Sequence, residues 1–147
     1  MINGAKLLAL VPARGGSKRL KRKNILPFAG EPLISRTIKS GLASSFVDRL
    51  IVTTEDPEIA AVSEEWGADV PFIRPTHLAE DHTSTYEVVA HTLTQLRNYG
   101  NQYECLLLLQ PTSPLRNYKD INSAVEIVKR KKYKSLFSIS ESLEHPY

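Results

Sequence analysis

"KLLALVPARGGSKRLKRKNI", Lys6 to Ile25, decides the fold. Leu7 to Val11 form an unbroken apolar run. Continuous rather than alternating hydrophobicity marks a strand covered on both faces, as in a parallel sheet. The chain then leaves through Gly15 and Gly16 and sets down six cations: Arg14, Lys18, Arg19, Lys21, Arg22 and Lys23. No acid follows until Glu31. Like charges at that density repel one another, so the loop implies an anionic occupant.

Working outward, apolar runs alternate with helical patterns. "RLIVTT" (49–54), "VPFI" (70–73), "CLLLLQ" (105–110) and "SLFSIS" (135–140) read as further strands. Ile34, Ile38 and Leu42 mark a helix between the first two strands. Asp56 caps a second, with Pro57 in its first position, Ile59, Val62 and Trp66 on one face and Gly67 ending it. Ser84 with Glu87 forms a capping-box pattern before Val89, Leu93 and Leu96, and Gly100 closes that helix. Asp120 is the expected cap of a fourth, with Ile121, Ala124, Val125 and Val128 inward and Lys129 to Lys132 in its last turn. This order predicts a doubly wound α/β sheet, whose ligands bind beyond the carboxyl ends of the strands. The opening loop and "QPTSPLR" (110–116) both fall on that rim.

The bulk numbers narrow the ligand. The 147 residues suit one core, and 41% hydrophobic with 24% charged residues is ordinary for a globular chain. Net charge is only +3, although six of nineteen basic residues sit in the opening loop, so the positive charge is local. That favours a small polyanion over a nucleic-acid track, which would call for aromatic residues among the cations; none occurs from Arg14 to Asn24. Cys105 is the sole cysteine, read as a buried inert thiol in a reducing compartment. "KLLALV" is too short for a signal peptide, and no stretch approaches the ~20 apolar residues of a membrane span. The expected location is cytoplasmic.

The loop carries neither the G-x-G-x-x-G fingerprint nor the spacing of a P-loop. Its chemistry still suits phosphate: Gly15 and Gly16 let backbone amides approach oxygens, Ser17 adds a hydroxyl, and the cations neutralise charge. Alone, the loop leaves open a basic surface patch or an import signal. "QPTSPLR" is a proline-fixed turn presenting Gln110, Thr112, Ser113 and Arg116 to the rim, unless it is a turn and nothing more. "RPTHLAEDHTST" (74–85) follows the weak third strand and ends at a helix start, where ordinary capping is the simpler account. His77 and His82, five apart with no cysteine partner, do not make a metal site. No Ser-His-Asp or Cys-His arrangement is present.

Taken together, "PARGGSKRLKRKN", "VTTED", "IRPTHLAEDHTST" and "LQPTSPLR" resemble one family along the whole chain: the cytidylyltransferases that activate sialic-acid-type sugars. The resemblance implies a Rossmann-like nucleotidyltransferase fold, a mainly parallel sheet with helices on both faces. It implies a CMP-sugar made from CTP and a nonulosonic acid, with pyrophosphate released and Mg2+ as cofactor. By position, Arg14, Ser17, Lys18 and Lys23 match the residues that hold the triphosphate, with Ala13 beside them, and Arg14, Lys18 and Lys23 carry the catalytic charge. Asn24 matches a contact near the α-phosphate. Arg74 and Thr85 fall where the family surrounds cytosine and ribose, and Gln110, Thr112 and Ser113 where it faces the sugar acid.

Two departures stand out. The family usually has proline where this chain has Lys21. Family members also run longer, so residues 1–147 read as the nucleotide-binding part of a truncated cytidylyltransferase domain. The magnesium ligands and the element that makes a homodimer are then expected beyond residue 147. Rival readings are the same reaction on pseudaminic, legionaminic or ketodeoxyoctonic acid, and a nucleotide-binding fragment without turnover.

Overall fold

The structure of the protein, a computed structural model, describes residues 1–2, 4–17 and 20–139. The apolar run of the opening stretch is strand β1 (Leu7–Pro12). A two-residue antiparallel hairpin follows, β2 (Pro27–Phe28) and β3 (Glu31–Pro32). Then come α1 (Leu33–Leu42), β4 (Arg49–Thr53), α2 (Pro57–Glu65), α3 (Thr85–Asn98), β5 (Cys105–Leu108) and α4 (Tyr118–Lys131). Among the described residues the main sheet has three strands, all parallel, in the order β4-β1-β5. Leu10 sits opposite both Ile51 and Leu108.

Burial on both faces explains the unbroken hydrophobicity of β1. Ala9 and Val11 point to one side, into a core with Ile34 and Ile38 of α1, Ile59 of α2 and Ile121 of α4. Leu8 and Leu10 point to the other, with Ile51 and Leu96 of α3. All four residues of β1 named here are fully buried. Fully burying such an aliphatic side chain contributes about 1.5–3 kcal/mol, so the central strand anchors the whole.

Four expectations are corrected. "VPFI" is not a strand: Asp69 makes one bridge, donating to Leu50 O and accepting from Val52 N–H, both at 3.0 Å. Pro71 then lacks the N–H that the ladder needs two residues on. The fourth helix is capped by Asn117, whose side chain accepts from Lys119 N–H (2.8 Å) and Asp120 N–H (3.4 Å). Asp120 instead accepts from Asn117 N–H, the reciprocal half of a capping box. Residues 135–139 of "SLFSIS" form no strand, and Phe137 and Ile139 are 83% and 95% exposed; Ser140 lies outside the described residues. β5 is covered on one face only among the described residues. Leu107 packs into the core while Leu106 and Leu108 are 39% and 37% exposed, and Cys105 is half-buried, because β5 is the sheet's outer strand there.

Candidate active site

The glycine loop leaves the carboxyl end of β1, as the fold class requires, and is stitched to the end of β4. Ala13 N–H donates to Thr53 O at 3.0 Å, and Gly15 N–H donates to Glu55 Oε1 at 2.7 Å. Ser17 N–H donates back to Gly15 O, which folds the loop on itself. Further along, Asn24 is buried and its Nδ2 donates to Arg14 O at 2.9 Å, so the return limb holds the outgoing one. Arg22 takes the left-handed conformation (φ 56°), and its guanidinium grips both oxygens of Asp56 at 3.0 Å and pairs with Glu58. The like charges of the loop are thus partly offset from behind by the start of α2.

Asp56 does two things at once. Besides receiving Arg22, it caps α2 by accepting from Glu58 and Ile59 N–H, at 2.9 and 3.2 Å. Arg74 is tied to the same stretch, just before Asp56. Its backbone N–H donates to Thr54 O at 2.8 Å, and its guanidinium, 3% exposed, pairs with Glu55 at 3.0 Å. A charge buried that deeply is tolerated only with a partner, and Glu55 is that partner. Nearby, His91 is held below its ordinary value by burial first, then by the charges of Arg74 and His77.

The remaining walls come from the start of α3 and the proline turn after β5. Ser84 caps α3 by accepting from Glu87 N–H at 3.2 Å, and Glu87 accepts from Ser84 in return at 2.7 Å. The Ser84 hydroxyl and backbone N–H hold the Glu87 carboxyl below its ordinary value. Beyond β5, Ser113 N–H and Arg116 Nη2 both donate to Gln110 O, at 3.3 and 3.1 Å, closing the proline turn. Arg116 therefore turns back to brace the turn rather than facing the rim. Its burial there lowers its pKa.

These walls enclose a cleft of about 300 Å³. Of the residues singled out from sequence, Arg14, Ser17, Lys23, Asn24, Arg74, Thr85, Gln110 and Thr112 all line it. Ala13 does not: it is 1% exposed and lies beneath the loop. Ser113 is exposed outside the lining set, and Lys18 lies outside the described residues. Two acids that the sequence did not assign to the site, Glu80 and Asp81, also line the cleft, and Asp81 pairs with Arg14 at 2.9 Å. The only advance signal for them was their place in "HLAEDHT", the one acidic pair in a stretch already singled out.

A glycine loop at the end of a parallel strand, with Arg14, Lys23 and Arg74 around a rim cleft, defines an α/β protein with a cationic cleft at the carboxyl end of its sheet. The comparisons with known proteins agree. The family profile described as cytidylyltransferase matches residues 8–145, and the chain belongs to that family. It is 38% identical over 141 residues to a pseudaminic acid cytidylyltransferase of Campylobacter jejuni, covering 96% of this chain and 60% of that protein. It is 42% identical over 124 residues to a CMP-N,N'-diacetyllegionaminic acid synthase of Legionella pneumophila, covering 84% and 53%. It is 38% identical over 138 residues to an N-acylneuraminate cytidylyltransferase of Escherichia coli, covering 93% and 32%. The chain thus spans between a third and three-fifths of these curated relatives. Among solved structures, CMP:2-keto-3-deoxy-manno-octonic acid synthetase complexed with CTP superposes with a TM-score of 0.73 at 21% identity, covering 87% of this chain and 49% of that one. That likeness supports the fold, a mainly parallel sheet with helices on both faces.

Proposed function

We propose that residues 1–147 are the nucleotide-binding part of an enzyme that transfers the cytidylyl group of CTP to a nonulosonic acid of the sialic type. The observation that carries the reading is the shared cleft. Three stretches far apart in sequence, around Arg14, Arg74 and Gln110, meet in one cavity on the rim of the sheet. In this reading Arg14, Lys18 and Lys23 hold the triphosphate, and Ala13, Ser17 and Asn24 shape the loop around it. Arg74 and Thr85 flank cytosine and ribose, and Gln110, Thr112 and Ser113 face the sugar acid. The anomeric hydroxyl oxygen attacks the α-phosphorus in line, and the bond to the bridging oxygen breaks. Pyrophosphate leaves with the electron pair of that bond, and the hydroxyl proton passes to solvent water. Cations already aimed at the leaving group meet charge as it develops, without reorganising.

Magnesium is the metal that the resemblance implies. Among the described residues no three of His, Cys, Asp and Glu come together to hold a metal. Asp81, one of two acids in the cleft, is paired with Arg14. No step here is routed through the ion. A cytoplasmic homodimer without nucleic-acid or membrane partners completes the reading. The local placement of the positive charge favours a small anionic ligand over a nucleic acid. Among the described residues no helix is long and apolar enough to cross a membrane.

The test is pyrophosphate release by the full-length protein from CTP and Mg2+ with sialic, pseudaminic, legionaminic or ketodeoxyoctonic acid. Release with at least one acid, above the acid-free control, is expected. CTP binding without release for any acid would leave a nucleotide-binding protein only. No binding of CTP would end the reading.

A further inference from the structure

"VTTED" (Val52–Asp56), the end of β4 and the residues that follow it, does not line the cleft and has no role in the reaction as written. Glu55 stands out there, because it is 13% exposed and its two oxygens serve different walls. Oε1 accepts from Gly15 N–H in the phosphate loop at 2.7 Å, and Oε2 accepts from Arg74 Nη2 at 3.0 Å. We propose that Glu55 is a positioning residue whose carboxylate fixes the separation between the phosphate loop and the arginine on the nucleoside side. The inference rests on the nucleotide reading above and adds to it a single group that ties the two halves of the site together.

The chemistry of the carboxylate is what the position needs. Gly15 and Arg74 both present donors, and the two carboxylate oxygens accept one from each. In Glu55→Gln one end of the side chain becomes an NH2 that must face a donor, so one of the two contacts is lost. Charge and geometry then pull in opposite directions. Removing an anion beside a triphosphate site strengthens binding on Coulombic grounds alone, whereas loss of the spacing weakens binding of a ligand that must reach both halves.

The test compares CTP with inorganic triphosphate, which touches only the loop, by calorimetry on the protein and on Glu55→Gln. The preference for CTP over triphosphate should shrink about tenfold in the variant, the size expected from losing one hydrogen bond to a charged group. A general structural weakening would reduce both affinities alike, and an unchanged or larger preference for CTP overturns the proposal. Hydrogen exchange of the Gly15 amide, read by NMR, covers the case in which the variant does not fold. The unaltered protein should protect that amide by about a hundredfold or more, and rapid exchange also overturns the proposal. If the unaltered protein binds neither ligand while Gly15 is protected, the nucleotide reading fails and the Glu55 link stands.

Discussion

Gly15→Ala adds one methyl group, and the structure specifies what that methyl meets. A Cβ at Gly15 would lie 2.5 Å from Asp56 Oδ2 and 3.1 Å from Asp56 Cβ. Gly15 is not among the positive-φ glycines, so its requirement is steric rather than conformational. The carboxylate cannot simply swing aside, because it caps α2 and is held on both oxygens by Arg22. Moving it forfeits the cap, about 1 kcal/mol, and a partly exposed ion pair, about 0.5 kcal/mol. Moving the loop instead forfeits the Gly15–Glu55 bond, which is worth about 1.5–3 kcal/mol for a charged acceptor. Either route costs about 2 kcal/mol, and for a chain of this size the melting midpoint should fall by roughly 6–8 °C. Thermal unfolding followed by circular dichroism measures it, with Asp56→Ala and the double variant alongside. Without the Asp56 carboxylate the added methyl meets only the Cβ, so its cost should drop below about 1 kcal/mol and the two changes should couple. An equal cost in both backgrounds, or a fall of less than about 2 °C in the unaltered one, refutes the steric argument.

Gly41→Ala should destabilise by about 1 kcal/mol despite the better helix propensity of alanine, because its methyl would meet Leu50 Cδ1 and lie 3.1 Å from Leu109 Cδ1; a higher denaturant midpoint would contradict this. Asp48 is held below its ordinary 3.8 first by Leu7 N–H at 2.7 Å, against opposing burial, with the Met1 ammonium at 3.2 Å adding to it. A lowered folded value means stability that is present above 3.8 and lost as pH falls through the lowered value. Asp48→Asn should therefore melt lower than the unaltered protein at neutral pH and converge with it in acid, and a gap unchanged by acidification would rule this out. Arg14→Ala should leave the far-UV spectrum intact while cutting pyrophosphate release by the full-length protein about 10²–10³-fold, and near-normal turnover would remove Arg14 from its assigned role. CTP affinity should also fall as salt is raised, since Arg14 is 37% exposed and screening reaches it; a flat titration would go against that.

What could be read from the residues was set by how local its cause is. β1 announced itself because a strand buried on both faces is apolar throughout, and the caps at Asp56 and Ser84 because each bonds its own helix. The cap at Asn117 was misplaced by three residues for a simple reason: Asn and Asp both cap, and N-x-x-D satisfies the pattern at either end. "VPFI" misled because its composition is strand-like while Pro71 removes the donor that pairing needs. In the site, the cations and the proline turn were legible from type and spacing. The Glu55–Arg74 and Arg14–Asp81 pairs were not, since each joins residues that only the fold brings together. Arg116 looked like a rim residue because the sequence does not say which way a turn's arginine points.

The placement of β1 at the middle of the sheet also sets the order in which the protein can form. β1 is made first, yet its two partners begin at Arg49 and Cys105, so its second edge is paired only after about 90 further residues exist. At 5–20 residues per second, synthesis of that stretch takes roughly 5–20 s. Until β4 has been made the apolar segment from Leu7 to Val11 has neither partner, and from then until β5 emerges it has β4 on one side and no β5 on the other. Both pairings are long-range, which slows closure further. The nascent chain thus carries its most aggregation-prone strand exposed for longest, and a chaperone that holds extended apolar segments should bind it early and release it once β5 has emerged.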